Sequence, residues 1–429
     1  MNDQFVNSLE KKVVRAAFWV LFGNTVIESF LLYFEDRFTI ILAQLFLNFG
    51  FFLYLYFKKF NVRLSKDFIA PSLLIFLFLV MSLFSTDLVL SINMLLKFAI
   101  PFGFLFIGHS LNSYFFINYL TNYIWVFMAY FVGYFLIVNY FEIGYEMYIG
   151  GVKTGYYSLN GLYIPIFSLL WVSFFFTKIS NLKFKIPTLI FSILTVGVSL
   201  AILKRTLLLI LVLGILSIIF YNFNFKFLVK ISFVFLISGL IFFKYFFPEF
   251  QKTFESRESR FNSEYNILNE GRITENFHVF TLMKESPLKL LFGSGEVFND
   301  RKFIAFTFYE EDREVHSSYA RIFWNGGFVG LGLFLYFYWV QIRLMFGSFN
   351  FFKNKSTEFK LIFYFGLTFV LLRLISDFSS GITYLGYNAF CYLIIGYFFS
   401  LSSIAKKQYF SNSINFWKEE IEKRKTQSV

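Results

Sequence analysis

Runs of roughly 20 mostly apolar residues recur along this chain, each long enough to cross a hydrocarbon core as a helix. About twelve are present, near 14–34, 38–57, 68–86, 88–108, 119–141, 156–176, 184–203, 206–221, 227–247, 318–345, 359–376 and 384–404. Such a pattern leaves few folds, because lipid offers backbone N–H and C=O groups no partners outside a helix or a closed barrel. The expected fold class is all-α, a polytopic membrane protein with about 12 transmembrane helices. Only 15% of the 429 residues are charged, against about 25% in an average soluble domain, which argues against an ordinary soluble enzyme. One Cys excludes a disulfide framework, and three His leave little room for a histidine metal centre.

A net charge of +12 suits a nucleic-acid partner until the cations are located. With a cytoplasmic N-terminus, most Lys and Arg fall on inward segments, such as Lys58, Lys59, Arg63 and Lys66, or the tail from Lys406 to Lys425. The short outward loops hold only Arg37, Lys153, Lys204 and Arg205. The positive-inside rule then places both termini in the cytoplasm. The charge becomes a topology signal, and no nucleic acid is expected. Glu10 ahead of the first run and Glu28 inside it argue against a cleaved signal, so that run is read as a retained span.

The runs divide the chain into helices one to nine over 1–247, a large outward loop over 248–315, helices ten to twelve over 316–404, and a cytoplasmic tail over 405–429. A long loop of this kind is usually functional or disordered. Here it reads as partly helical, for instance over 274–285, and is punctuated by Pro287 and Gly293-Ser294-Gly295.

Charge in the wrong place is the best lead in so apolar a chain. Lys204-Arg205-Thr206 stands at the tight outward turn between the seventh and eighth runs. Its cations either snorkel to lipid headgroups or clamp an anion through a guanidinium fork. The outward position favours the clamp. His316 sits where the long loop meets the tenth run, as a loop anchor or as a group that moves a proton near neutrality. Lys97 is an intramembrane cation and a functional candidate by default. Tyr156, Tyr157, Tyr319 and Trp324 are either sugar-stacking rings or members of the aromatic belts and core.

Taken in order, these residues resemble a known family. Its elements are the Arg205-Thr206 turn, Gly271-Arg272, Pro287, Phe292-Gly293-Ser294-Gly295, and His316-Ser317-Ser318-Tyr319 leading into Gly326, Gly327 and Gly330. The set is similar to the bacterial O-antigen polymerase and O-antigen ligase superfamily, polytopic glycosyltransferases of the GT-C type. Leu159-Asn160-Gly161-Leu162 resembles a further element, and the similarity covers about 155–335. The resemblance implies an inner-membrane enzyme whose donor is an oligosaccharide on undecaprenyl pyrophosphate. It assigns catalysis to His316, Arg205 and Arg272. The arginines would stabilise charge on the departing pyrophosphate, and His316 would assist the acceptor hydroxyl, with Glu314 a lower-ranked base. Expected substrate contacts are Lys204, Arg257, Arg260, Arg321, Tyr319 and Asn160. The sequence has no Asp-x-Asp triplet, Glu310-Glu311-Asp312 being the nearest acidic run, so neither metal nor cofactor is expected. The implied partners are the lipid-linked oligosaccharides, the bilayer and a polysaccharide chain-length regulator.

Two departures bear on the reaction. Ligases of this group often carry Asn after the histidine, where Ser317 stands, and a small residue at the start of the arginine turn, where Lys204 stands. Both favour a repeat-unit polymerase over a ligase that transfers finished polymer to lipid A-core. A flippase for the same lipid-linked unit is the alternative of another class. It is disfavoured because transporters tend to repeat their halves, and these halves are unlike.

Overall fold

The computed structural model describes residues 8–30, 37–63, 65–142, 145–149, 152–157, 163–202, 209–214, 216, 271–299, 317–353, 357–377 and 384–404. The first half holds α1 (Ser8–Phe30), α2 (Arg37–Phe57), α3 (Ile69–Ser82), α4 (Leu88–Ser110), α5 (Phe115–Tyr123) and α6 (Trp125–Tyr140). A hairpin of β1 (Tyr145–Ile149) and β2 (Val152–Tyr157) precedes α7 (Tyr163–Phe175) and α8 (Leu182–Ile202). Then come α9 (Gly271–Met283), α10 (Pro287–Phe292), α11 (Ser318–Lys353), α12 (Thr357–Ser376) and α13 (Leu385–Ile404).

The protein is an all-α polytopic membrane protein. Among the described residues, five helical stretches are long and apolar enough to span: Leu88–Ser110, Phe115–Tyr140, Leu182–Ser199, Ser318–Gly347 and Leu385–Ile404. Shorter apolar helices stand at Ile41–Phe57, Ile69–Ser82 and Tyr163–Lys178. The expected run at 206–221 lies largely, and that at 227–247 wholly, outside the described residues.

The hairpin departs from the sequence expectation. A helix was expected from residue 156, yet Tyr156 and Tyr157 are strand, with Tyr145 opposite Tyr157, and α7 begins at Tyr163. Hydropathy cannot separate the two states here. Tyr, Ile and Val raise the apolar count while favouring a pleated backbone.

Hydrogen bonds sort the helix ends into two groups. At one, the terminal end, Glu10 accepts from Asn112 N and Ser113 N, both at 2.8 Å. Tyr397 donates to Ser113 O at 3.1 Å, and Ser400 to Asn112 Oδ1 at 3.0 Å. At the other, the loop end, Glu296 meets Ser85 and Thr86 while Ser318 meets Asp377. The helices therefore alternate in direction between the two ends.

Between the ends the core is aromatic. Trp171 is fully buried among Phe116, Phe175, Phe365 and Phe398, and its indole donates to Thr121 at 3.0 Å. α4 and α13 approach so closely that a Cβ on Gly108 would strike the Leu393 carbonyl, and one on Gly396 the Leu105 carbonyl. Small residues let helices meet this way in lipid, where no hydrophobic force drives them together. Several buried polar groups pair across helices. The Asn24 and Asn48 amides exchange bonds of 3.0 and 2.8 Å, and Glu28 accepts from Gly386 N at 2.9 Å. Lys97, the intramembrane cation of the sequence, is buried on α4, and Glu28 is buried on α1.

Candidate functional site at the loop end

Two short polar motifs come together here. α10 starts on Pro287, whose missing N–H costs nothing in a first turn. It stops at Gly293, whose φ of 106° is open to glycine. The chain then runs back across the outer part of α11 as a wedge, residues 293–299. Ser294 N donates to Trp324 O at 2.8 Å, Phe298 N to Asn325 Oδ1 at 2.8 Å, and Trp324 Nε1 to Glu296 O at 3.0 Å.

The seat exists because α11 is broken. Gly327 has φ 59° and ψ −156°, so the helix divides into an outer half ending near Gly326 and a longer inner half. A Cβ on Gly327 would collide with the Leu291 carbonyl and Phe292 N, and one on Gly293 with the Asn325 carbonyl. The carboxyl end of α10 thus meets the amino end of the inner half-helix, joining opposite ends of two backbone dipoles. Strain gathers at the same place. Phe298 holds φ 58°, a rare state for a bulky side chain, with its ring buried against Phe78 and Phe98.

The wedge also grips the first half of the chain. The Glu296 carboxylate accepts from Thr86 N at 3.2 Å, Thr86 Oγ1 at 3.0 Å and Ser85 Oγ at 3.2 Å. Ser91 donates to Val297 O at 2.7 Å. Charged hydrogen bonds are worth about 1.5–3 kcal/mol when buried, and less at so exposed a turn.

α9 packs on the outer half of α11. Val279 and Met283 form a buried cluster with Ala320, Phe323 and Trp324, and Glu275 is buried one turn from the start of α9. The backbone of Arg272 lies in that first turn.

Beneath the start of α11 is a polar cluster that the sequence reading missed. Arg373 and Asp377, on and just after α12, form an ion pair of 2.9 Å, both side chains fully buried. Arg373 also donates to Asn388 Oδ1 and, at 3.4 Å, to Ser376 Oγ, and it lies 4.5 Å over the Tyr387 ring. Asp377 accepts from Tyr338 OH at 3.0 Å, and its carbonyl from Ser318 N at 2.8 Å. The spacing of Arg373 and Asp377 by four residues at the end of an apolar run was a visible signal.

Of the sequence candidates, Arg321 and Tyr319 stand on the outer half of α11. Arg321 is buried, and Tyr319 donates its hydroxyl to Leu374 O at 2.7 Å. Arg205, Lys204, Arg257, Arg260, Asn160, Glu314 and His316 lie outside the described residues, as does the side chain of Arg272. Chain connectivity still ties His316 to Ser317, which is buried at the head of α11. The structure therefore brings together the elements flanking Arg272 and His316. What it offers is a seat on the first part of α11 where separate stretches of chain, the wedge and α9, meet.

Residues 187–335, about a third of the chain, match the family model described as O-antigen ligase. The chain matches no curated protein.

Proposed function

We propose, from the match of residues 187–335 to the family model described as O-antigen ligase, that this membrane protein is a repeat-unit polymerase for O-antigen or a related surface polysaccharide. It joins oligosaccharides carried on undecaprenyl pyrophosphate at the periplasmic face of the inner membrane, with the loop end outward. One observation carries the reading. α9, whose first turn contains Arg272, and Ser317, which follows His316, are both fixed on the outer half of α11.

In the proposed reaction an acceptor sugar hydroxyl attacks the anomeric carbon of the donor. His316 takes the hydroxyl proton. The bond to the pyrophosphate oxygen breaks, and Arg205 and Arg272 stabilise the charge left on the phosphates. The polypeptide supplies that compensation itself, so no metal is required. The residues flanking the motifs favour polymerase over ligase, Ser317 after His316 and Lys204 before Arg205.

The test supplies synthetic undecaprenyl-pyrophosphate repeat units to the purified protein in detergent, with and without lipid A-core. A ladder of products without lipid A-core is expected. Product that forms only with lipid A-core would assign the ligase reaction instead. His316→Ala and Arg272→Ala are expected to abolish the ladder while the protein remains folded, and full activity in both would remove the mechanism. Activity lost to EDTA and restored by a divalent ion would overturn metal independence.

A further inference from the structure

We infer that Arg373 and Asp377 are positioning residues, which set the angle between the two halves of α11 and so hold the outer half where the transfer takes place. The inference rests on the reading of the loop end as the reaction site. It concerns residues beyond the family match, which ends at 335.

A helix interrupted at Gly327 has lost the backbone ladder that would fix one half against the other. Something else must hold the angle. Asp377 touches both sides of the break, its carbonyl receiving Ser318 N from the outer half and its carboxylate receiving Tyr338 OH from the inner half. Tyr319 adds a second bond from the outer half to the same turn, at Leu374 O. Arg373 in turn fixes the Asp377 carboxylate at 2.9 Å and is fixed by Asn388 and the Tyr387 face on α13. The start of α13 is held independently by Glu28 on α1, through Gly386 N. A continuous set of contacts therefore runs from α1 through α13 and α12 to both halves of α11.

The chemistry of the pair also favours position over stability. Apolar side chains of similar volume often serve a buried site as well as an ion pair does, because two charges must be desolvated to make the pair. A carboxylate does what an apolar group cannot. It accepts bonds from two directions at once, here from Arg373 and from Tyr338. The outer half of α11 carries Trp324 and Asn325, which seat the wedge, and Ala320 and Phe323, which seat α9. A change of angle at Gly327 displaces all of them together. Misplacement by about 1 Å can cost a reaction roughly a hundredfold.

Truncating either side chain risks misfolding, so the test uses two variants of nearly unchanged shape: Tyr338→Phe, which leaves the ion pair intact, and Asp377→Asn, which removes its negative charge. Each is purified in detergent and measured in two ways. Amide hydrogen exchange over residues 317–324 reports the hold on the outer half-helix without reference to catalysis. Steady-state kinetics with the lipid-linked repeat unit report the reaction. We expect exchange to quicken at least fivefold in both variants. We expect kcat per folded molecule to fall about tenfold in Tyr338→Phe and about a hundredfold in Asp377→Asn, with KM for the donor within twofold. The thermal midpoint should stay near wild type in Tyr338→Phe but be lowered in Asp377→Asn, where Arg373 loses its buried counterion. Unchanged exchange overturns the inference, as does activity that falls only in proportion to the folded fraction. His316→Ala separates the two claims, because it removes the proposed base and leaves exchange over 317–324 unaltered. Full activity in His316→Ala beside quickened exchange in Asp377→Asn sinks the assignment of the base and leaves the positioning role standing.

Discussion

Among the described residues, two of the places where backbones meet across glycine are built for different purposes. Where α4 crosses α13, Gly108 and Gly396 lie in continuous helices and face each other's carbonyls. Where the wedge meets α11, Gly293 and Gly327 both have positive φ, and the helix itself is interrupted. The first contact uses only the small size of glycine. The second uses its freedom as well, and spends regular structure to let a loop reach into a helix. In a membrane, broken helices are tolerated where other groups take up the freed backbone. A close helix crossing serves cohesion, whereas a broken helix filled by a loop marks a place where shape serves chemistry.

Substitutions test that contrast. The largest effect is expected from Gly327→Ala, which combines a backbone state essentially reserved for glycine, at about 1–3 kcal/mol, with collision against the Leu291 carbonyl. Polymer formation in the reconstituted assay should fall at least a hundredfold, and wild-type activity would refute the view of this break as functional. Gly396→Ala comes next. Overpacking typically costs about 1–3 kcal/mol, so the thermal midpoint should drop by several degrees while activity per folded molecule holds. A specific loss of turnover there would blur the distinction between the two contacts. Glu296→Gln keeps the shape of the clamp on Thr86 and weakens its charge-assisted bonds. A severalfold fall in kcat is expected, with a small change in stability, and an equal fall at high salt. The smallest effect belongs to Lys289→Ala, which removes an exposed 3.2 Å pair with Glu285. Such pairs are worth about 0.3–0.5 kcal/mol, and both activity and midpoint should stay within error of wild type.

Much of the fold was legible because its controlling variable is local. Hydropathy over a short window places α4, α8, α11 and α13 without knowledge of their neighbours. The motifs Phe292-Gly293-Ser294-Gly295 and Trp324-Asn325-Gly326-Gly327 were also visible, and their glycines drew attention to the right stretches. That the two dock on one another was not visible, since the contact depends on a φ near 59° at a residue inside an apparently continuous apolar run. The hairpin escaped notice because aromatic and β-branched residues satisfy a span and a strand alike. The Arg373–Asp377 pair was readable as a spacing, but its meaning comes from Tyr338, Asn388 and Ser318, residues brought in by tertiary packing.

The clamp at Glu296 has a consequence for how the molecule is made. Its partners Ser85 and Thr86 are synthesised about two hundred residues before it, and its seat at Trp324 about thirty residues after. At the roughly 5–20 residues per second of translation, the turn between α3 and α4 waits ten seconds or more at the membrane surface for its occupant. The wedge has only the α3–α4 half of its seat until α11 has been inserted. Closing so long a loop late carries only a slowly growing entropic cost, so the delay is one of order rather than of difficulty. The surface proposed to handle lipid-linked sugars is thus among the last parts of the protein to exist, and a nascent chain gains no access to its substrate until most of its helices are in place.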